Sequence, residues 1–216
     1  MNATVCVGAT LAVGALLLGC NAGPPAPPAL ADPSAATERA PDTFRVVFDT
    51  TKGAITATCT REWAPNGVDR LYNLVKRGFF DDVAFFRVVT EPRPFVAQFG
   101  LHGIPAVNSK WSDARIAPDP VKASNDRGKL TFAMAGSPDT RTTQLFINLA
   151  SNKDLDRMGF APICEIDAAG MAIADQLYGG YGEGLTEKQG TISSEGNAFL
   201  KKEYPRLDYI KTARVE

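Results

Sequence analysis

Histidine is almost absent from this chain: His102 is the only one in 216 residues. A Ser/His/Asp triad or a histidine-based metal centre would have to be built around that one side chain. His102 stands in a Gly-containing stretch, where a surface loop histidine is expected rather than a reacting group. Charge of one sign is lacking too. Lys and Arg number 23 against 24 Asp and Glu, giving a net charge of −1 with no long basic run. A nucleic-acid partner needs a concentrated positive surface, and none is expected here. Tryptophan occurs twice and cysteine four times. The one extended apolar run, Val5 to Leu18, is too short for a comfortable membrane span. No metal or cofactor is expected.

That apolar run has the length of a signal-peptide core. It ends Leu17-Leu18-Gly19-Cys20, which resembles the lipobox of bacterial lipoproteins. The resemblance implies cleavage before Cys20 and a lipid on its sulfur. A basic n-region is missing, since no Lys or Arg precedes Arg39. Residues 21–43 are rich in Pro, Ala and Gly and read as an extended, semi-rigid tether. The organisation expected is a signal peptide with lipobox at 1–20, a tether at 21–43 and one folded domain at 44–216. It places a monomeric domain in the cell envelope, lipid-anchored outside the cytoplasm.

Within the domain, Phe44, Val46 and Phe48 alternate with polar positions. After a short turn, Ile55, Ala57 and Cys59 do the same, which predicts a β-hairpin with one buried face. Pro65 opens a helix whose Val68, Leu71, Tyr72 and Val75 share one face. Strands follow at Leu130–Met134, Leu145–Leu149, Phe160–Ile166 and Leu207–Val215, with a second helix around Met171 to Leu177. Residues 101–128 read as loop and 183–203 as a polar surface excursion. Many strands without a βαβ rhythm favour a closed antiparallel barrel. Cys59 and Cys164 fall on strands. Buried free thiols are the expectation, with a disulfide as the alternative.

The chemistry concentrates at Phe85-Phe86-Arg87-Val88-Val89 and Pro94-Phe95-Val96-Ala97-Gln98-Phe99-Gly100. An arginine inside an apolar strand cannot shed its charge and is rarely buried alone. Two donors, Arg87 and Gln98, on neighbouring strands above an apolar floor make a candidate binding site. The alternative is an edge-strand arginine paired with a carboxylate.

Together with Gly128-Lys129-Leu130-Thr131-Phe132-Ala133-Met134-Ala135-Gly136, Thr142-Thr143-Gln144-Leu145-Phe146-Ile147-Asn148-Leu149, Leu155-Asp156 and Gly159-Phe160-Ala161-Pro162, these stretches resemble the cyclophilin family of peptidyl-prolyl isomerases, from about Phe44 to Val215. The resemblance implies a mainly β fold, a closed eight-stranded antiparallel barrel capped by two helices. It implies rotation of X-Pro bonds in proline-containing polypeptides, here exported ones. Arg87 and Gln98 match the family's catalytic pair. Phe95, Val96, Leu145 and Phe146 match its apolar walls, while Ala133, Met134, Ala135 and Gln144 match the peptide-binding rim. Phe86 stands in place of a frequent histidine, Asp154 near a frequent tryptophan and Gly159 near another histidine, and Thr90-Glu91-Pro92-Arg93 lengthens one link. A proline-peptide-binding chaperone or scaffold with little turnover is the competing reading; a barrel carrying a small apolar ligand has no use for Arg87 with Gln98.

Overall fold

The computed structural model describes Met1 and residues 23–216. The signal-peptide reading and Cys20 lie outside the described residues. Among the described residues, nine strands form one antiparallel sheet: β1 (Thr43–Thr50), β2 (Gly53–Thr60), β3 (Val83–Ala84), β4 (Arg87–Val88), β5 (Val96–Phe99), β6 (Lys129–Phe132), β7 (Leu145–Asn148), β8 (Pro162–Ile166) and β9 (Tyr209–Val215). Their order is β3-β9-β1-β2-β8-β6-β7-β5-β4. The expected closed eight-stranded barrel is therefore corrected. The outermost strands, β3 and β4, are two halves of one extended stretch, and no ladder joins them. Phe85-Phe86 interrupts the pairing, so that β3 pairs with β9 while β4 pairs with β5.

The hairpin β1–β2 follows the alternation: Val46 faces Ala57 and Phe48 faces Ile55 across the pair, all buried. Phe48, Phe80, Phe85 and Phe99 meet edge to face at ring separations of 5.1–5.9 Å and fill the interior of the open half-barrel that the sheet makes. Cys59 and Cys164 are directly opposed on β2 and β8 and form a disulfide, not the two free thiols expected. A cross-strand pair brings the two sulfurs together however far apart the residues are in sequence.

Among the described residues, five α-helices accompany the sheet where two were expected: α1 (Pro65–Lys76), α2 (Pro105–Trp111), α3 (Asp154–Arg157), α4 (Ala168–Ala174) and α5 (Gln189–Glu203). α1 starts at Pro65 with no capping side chain of its own. Asp119, from the loop after α2, accepts the Asn66 and Gly67 N–H groups at 2.9 and 2.8 Å. It thus supplies from a distance what an N-cap residue supplies locally. Arg141 holds that carboxylate at 3.1 Å, and both side chains are out of solvent. Arg141 also donates to the Pro138 carbonyl. The loop, α1 and the approach to β7 are thereby tied together.

Residues 183–203, expected as a surface excursion, carry a second apolar cluster. Leu185, Ile192 and Leu200 pack with Ala84, Phe86 and Leu207. The helix is broken at Gly196, where φ is +61° and an added Cβ would lie 2.1 Å from the Gly103 carbonyl. Only glycine permits that approach. Asn197 then donates its N–H to the same carbonyl at 2.9 Å.

The Pro/Ala-rich segment is also corrected. From residue 29 onward it is seated on the domain rather than extended. Leu30 is buried and its carbonyl accepts from Trp111 Nε1 at 2.9 Å. Arg77 donates to the Ala29 and Ala35 carbonyls. Asn73 and the Glu38 backbone exchange two bonds, and Asp69 accepts the Ala40 N–H. These polar groups, from α1, its C-cap Arg77 and Trp111 of α2, satisfy the backbone of a segment with few apolar side chains of its own.

His102, expected on the surface, is buried against Phe79 with ring centroids 5.4 Å apart. Its Nδ1 accepts the Ile104 N–H at 2.9 Å. Burial pushes its pKa down to about 4, against an opposing pull from the Asp82 carboxylate.

Candidate active site

Register aligns the central residues. Arg87 on β4 is directly opposite Gln98 on β5, and Gln98 is directly opposite Phe146 on β7. Directly opposed residues share a face, so three strands present one row across the sheet. Val96, two residues before Gln98, joins that face. Leu145, one residue before Phe146, takes the other: it is opposite Phe99 and Phe132 and is wholly buried in the barrel interior. The expectation that Leu145 lines the groove is overturned by strand parity.

Above this row lies a cleft of about 250 Å³. Phe95, Val96 and Phe146, the residues matched to apolar walls, line it, with Met134 and Ala133 along one side. Two further walls come from Leu155 and Phe160. The Phe160 ring meets Phe146 edge to face at 5.7 Å. Phe160, next to Gly159 in sequence, thus supplies an aromatic wall of the cleft. Gly159 itself has φ +90°, and an added Cβ would lie 2.7 Å from the Pro138 side chain. Asp154 lies outside the cleft, exposed and paired with Arg157. It borders a separate hollow with Arg93, Phe95 and Lys153.

A second pocket of about 240 Å³ adjoins the cleft across Gln98, Ala133, Met134 and Gln189. Ala135 and Gln144 line this second pocket. The Ala133 N–H is occupied by the Gln144 carbonyl and the Ala135 N–H by Thr140 Oγ1. The Met134 N–H has no such partner among the described residues.

The polar groups form a chain. Arg87 NH1 donates to Gln98 Oε1 at 2.9 Å, Gln98 Nε2 to Gln144 Oε1 at 2.8 Å, and Gln144 Nε2 to Gln189 Oε1 at 3.0 Å. The opposite flank of Arg87 meets a carboxylate: Nε and NH2 each donate to Glu183 at 2.8 Å. The guanidinium also lies 5.5 Å from the centre of the Phe95 ring. Both sequence readings of Arg87 thus hold together, since it lines a cleft and it pairs with an acid. Its bond holds the Glu183 carboxyl below the usual range, against some opposition from burial.

Glu183, Thr186 and Gln189 were missed by sequence reasoning, and so were the side chains of Leu155 and Phe160. The last two lie within stretches quoted for the family resemblance. The first three lie in a Gly-rich stretch without periodicity. Among the described residues, no cluster of three His, Cys, Asp or Glu side chains could hold a metal ion. No helix among them is long and apolar enough to cross a membrane.

Comparison with known proteins gives concordant results. Residues 45–194 match the family model described as cyclophilin type peptidyl-prolyl cis-trans isomerase. The peptidyl-prolyl cis-trans isomerase-like 1 of Rhizopus delemar is 31% identical over 117 residues, 51% of this chain and 67% of that protein. Peptidyl-prolyl cis-trans isomerase B of Escherichia coli K12 is 27% identical over 142 residues, 62% of this chain and 84% of that protein. In structure, a cyclophilin-type isomerase of Cryptosporidium parvum, solved in the presence of the dipeptide Ala-Pro, superposes with a TM-score of 0.57. It is 16% identical and covers 80% of this chain and 98% of its own.

Proposed function

This chain belongs to the cyclophilin-type peptidyl-prolyl cis-trans isomerase family, and from that premise we propose that the cleft over Arg87, Gln98 and Phe146 is where it turns X-Pro bonds. The uncatalysed barrier, about 18–20 kcal/mol, comes from C–N double-bond character. A catalyst must favour the twisted amide in which that resonance is lost. It needs neither nucleophile nor metal for this, only a seat for the proline ring and fixed donors near the amide. Phe95, Val96, Phe146, Leu155 and Phe160 are the seat. Arg87 is the donor, permanently charged and held by Gln98. Its N–H groups would bond the carbonyl beside the proline and favour a pyramidal prolyl nitrogen. The rim at Ala133, Met134, Ala135 and Gln144 would take the extended peptide. The observation that carries this reading is the row of Arg87, Gln98 and Phe146 facing one apolar cleft. A protease-coupled assay on an X-Pro peptide tests it. A folded Arg87→Ala variant with undiminished activity would refute the placement.

We further propose that the protein acts on exported polypeptides from a lipid anchor at Cys20. The Leu17-Leu18-Gly19-Cys20 ending supports it. So does the Cys59–Cys164 disulfide, because such bonds persist in oxidising compartments. Cys20→Ser should move the protein from the membrane fraction to the soluble one and abolish labelling by palmitate. A variant that still pellets with membranes and takes up label contradicts the anchor.

A further inference from the structure

The carboxylate on Arg87 is built into place. Gly182 forms an antiparallel bridge with Val88 on the free edge of β4, which sets Glu183 beside Arg87. Gly179 passes so close to the segment after β4 that an added Cβ would lie 2.5 Å from Thr90 Oγ1. Leu185, two residues on, is fully buried in the second apolar cluster. Thr186 Oγ1 donates to Glu183 Oε2 at 2.7 Å, and the Thr186 N–H to the Glu183 carbonyl at 2.9 Å. A bridge, a buried anchor and a hydroxyl thus fix one acid.

A guanidinium has five N–H bonds in a planar fork. Glu183 takes one on Nε and one on NH2, and Gln98 takes one on NH1. Two remain, one on each terminal nitrogen, and Arg87 lines the cleft. Arg87 is also the one charged side chain among the described residues that line it. Glu183 therefore does two things: it stops rotation of the fork, and it balances the cleft's only charge.

We propose that Glu183 is a positioning residue for the isomerisation: it presents the two remaining N–H bonds of Arg87 to the peptide and keeps the cleft neutral, suited to uncharged segments around proline rather than to anions. This rests on Arg87 acting as the donor. A fork already held in its working orientation loses no freedom when the amide twists. An unopposed one would swing, and would attract carboxylate, sulfate or phosphate by bidentate pairing.

The test uses the full domain, an uncharged Ala-Pro peptide, and the variants Glu183→Gln and Arg87→Ala. Glu183→Gln should lower kcat/KM about tenfold, chiefly through kcat, the size usual for lost positioning. Its melting temperature should stay within about 2 °C, since the pair is partly exposed. Sulfate titrated at constant ionic strength should inhibit Glu183→Gln and leave the parent protein unaffected, a change that a merely structural role would not produce. Full activity and no sulfate inhibition in Glu183→Gln, beside an inactive Arg87→Ala, would overturn the proposal while sparing the site. An active, folded Arg87→Ala would remove the site and the proposal together.

Discussion

On one side of the cleft, Arg87, Gln98 and Phe146 stand in register across β4, β5 and β7; on the other, Glu183, Thr186 and Gln189 come from a Gly-rich loop and the first turn of α5. The first side is held by ladder hydrogen bonds over the main core. The second is held by the small cluster of Leu185, Ile192 and Leu200 with Phe86, and by single bonds such as Asn197 to Gly103. Strand register places a side chain as a by-product of folding the barrel. The loop side must be secured contact by contact. Chemistry that tolerates no error therefore belongs on the strands, and adjustment belongs on the loop.

Four substitutions or conditions would sharpen this contrast. The largest effect is expected on the strand side: Arg87→Ala should cost a factor of about 100 or more in kcat/KM, roughly 3–4 kcal/mol for one preorganised donor, with melting little changed. Steady-state kinetics and thermal melting on the same sample decide. On the loop side, Leu200→Ala removes a fully buried side chain from the small cluster. It should cost about 3 kcal/mol of stability, and hydrogen exchange should rise first in α5. If protection is lost evenly across the sheet, the two sides are not separate.

The seam between them answers to pH. His102 lies next to Gly103, the residue that receives α5. Its folded pKa, about 4, is below the ordinary 6.5, so the neutral form is the folded form. That contribution to stability is whole above pH 6.5 and is lost as pH falls toward 4. Protonation at Nδ1 would also remove the acceptor for the Ile104 N–H. Denaturant titrations should show stability falling by about 2–3 kcal/mol across that window. The slope should vanish in His102→Asn; a slope that persists there belongs to other groups. The smallest effect is that of Glu183→Gln, about tenfold or 1.4 kcal/mol.

The strand side was legible from sequence because period-two alternation and a charged residue inside an apolar run are both local signals. Arg87 and Gln98 were singled out from such signals, and Phe146 from the resemblance to the family; the structure sets all three in one row. Leu145 was misread: adjacent strand residues face opposite ways, and a continuous apolar run does not say which faces the groove. The loop side was illegible for a different reason. Leu185, Ile192 and Leu200 are seven and eight residues apart, but Lys188, Gln189, Glu195 and Gly196 occupy the positions between them that would complete an apolar stripe, and Gly196 breaks the helix. His102 and the seat of residues 29–40 depend on partners far along the chain, Phe79 and α1, which no local pattern announces.

Under the anchor proposed at Cys20, that seat would set the length of a leash. Measured to the first strand, residues 21–42 would let the domain range about 80 Å from a lipid on Cys20. Leu30 is instead fastened under Trp111, and it stands ten residues after Cys20. Whatever path those residues take, they reach at most about 35 Å. An anchored enzyme of this design would patrol only a shallow layer beside the bilayer and meet its substrates as they emerge there. Cutting the bonds from Arg77 and Asn73 to the segment would pay out the line without touching the cleft.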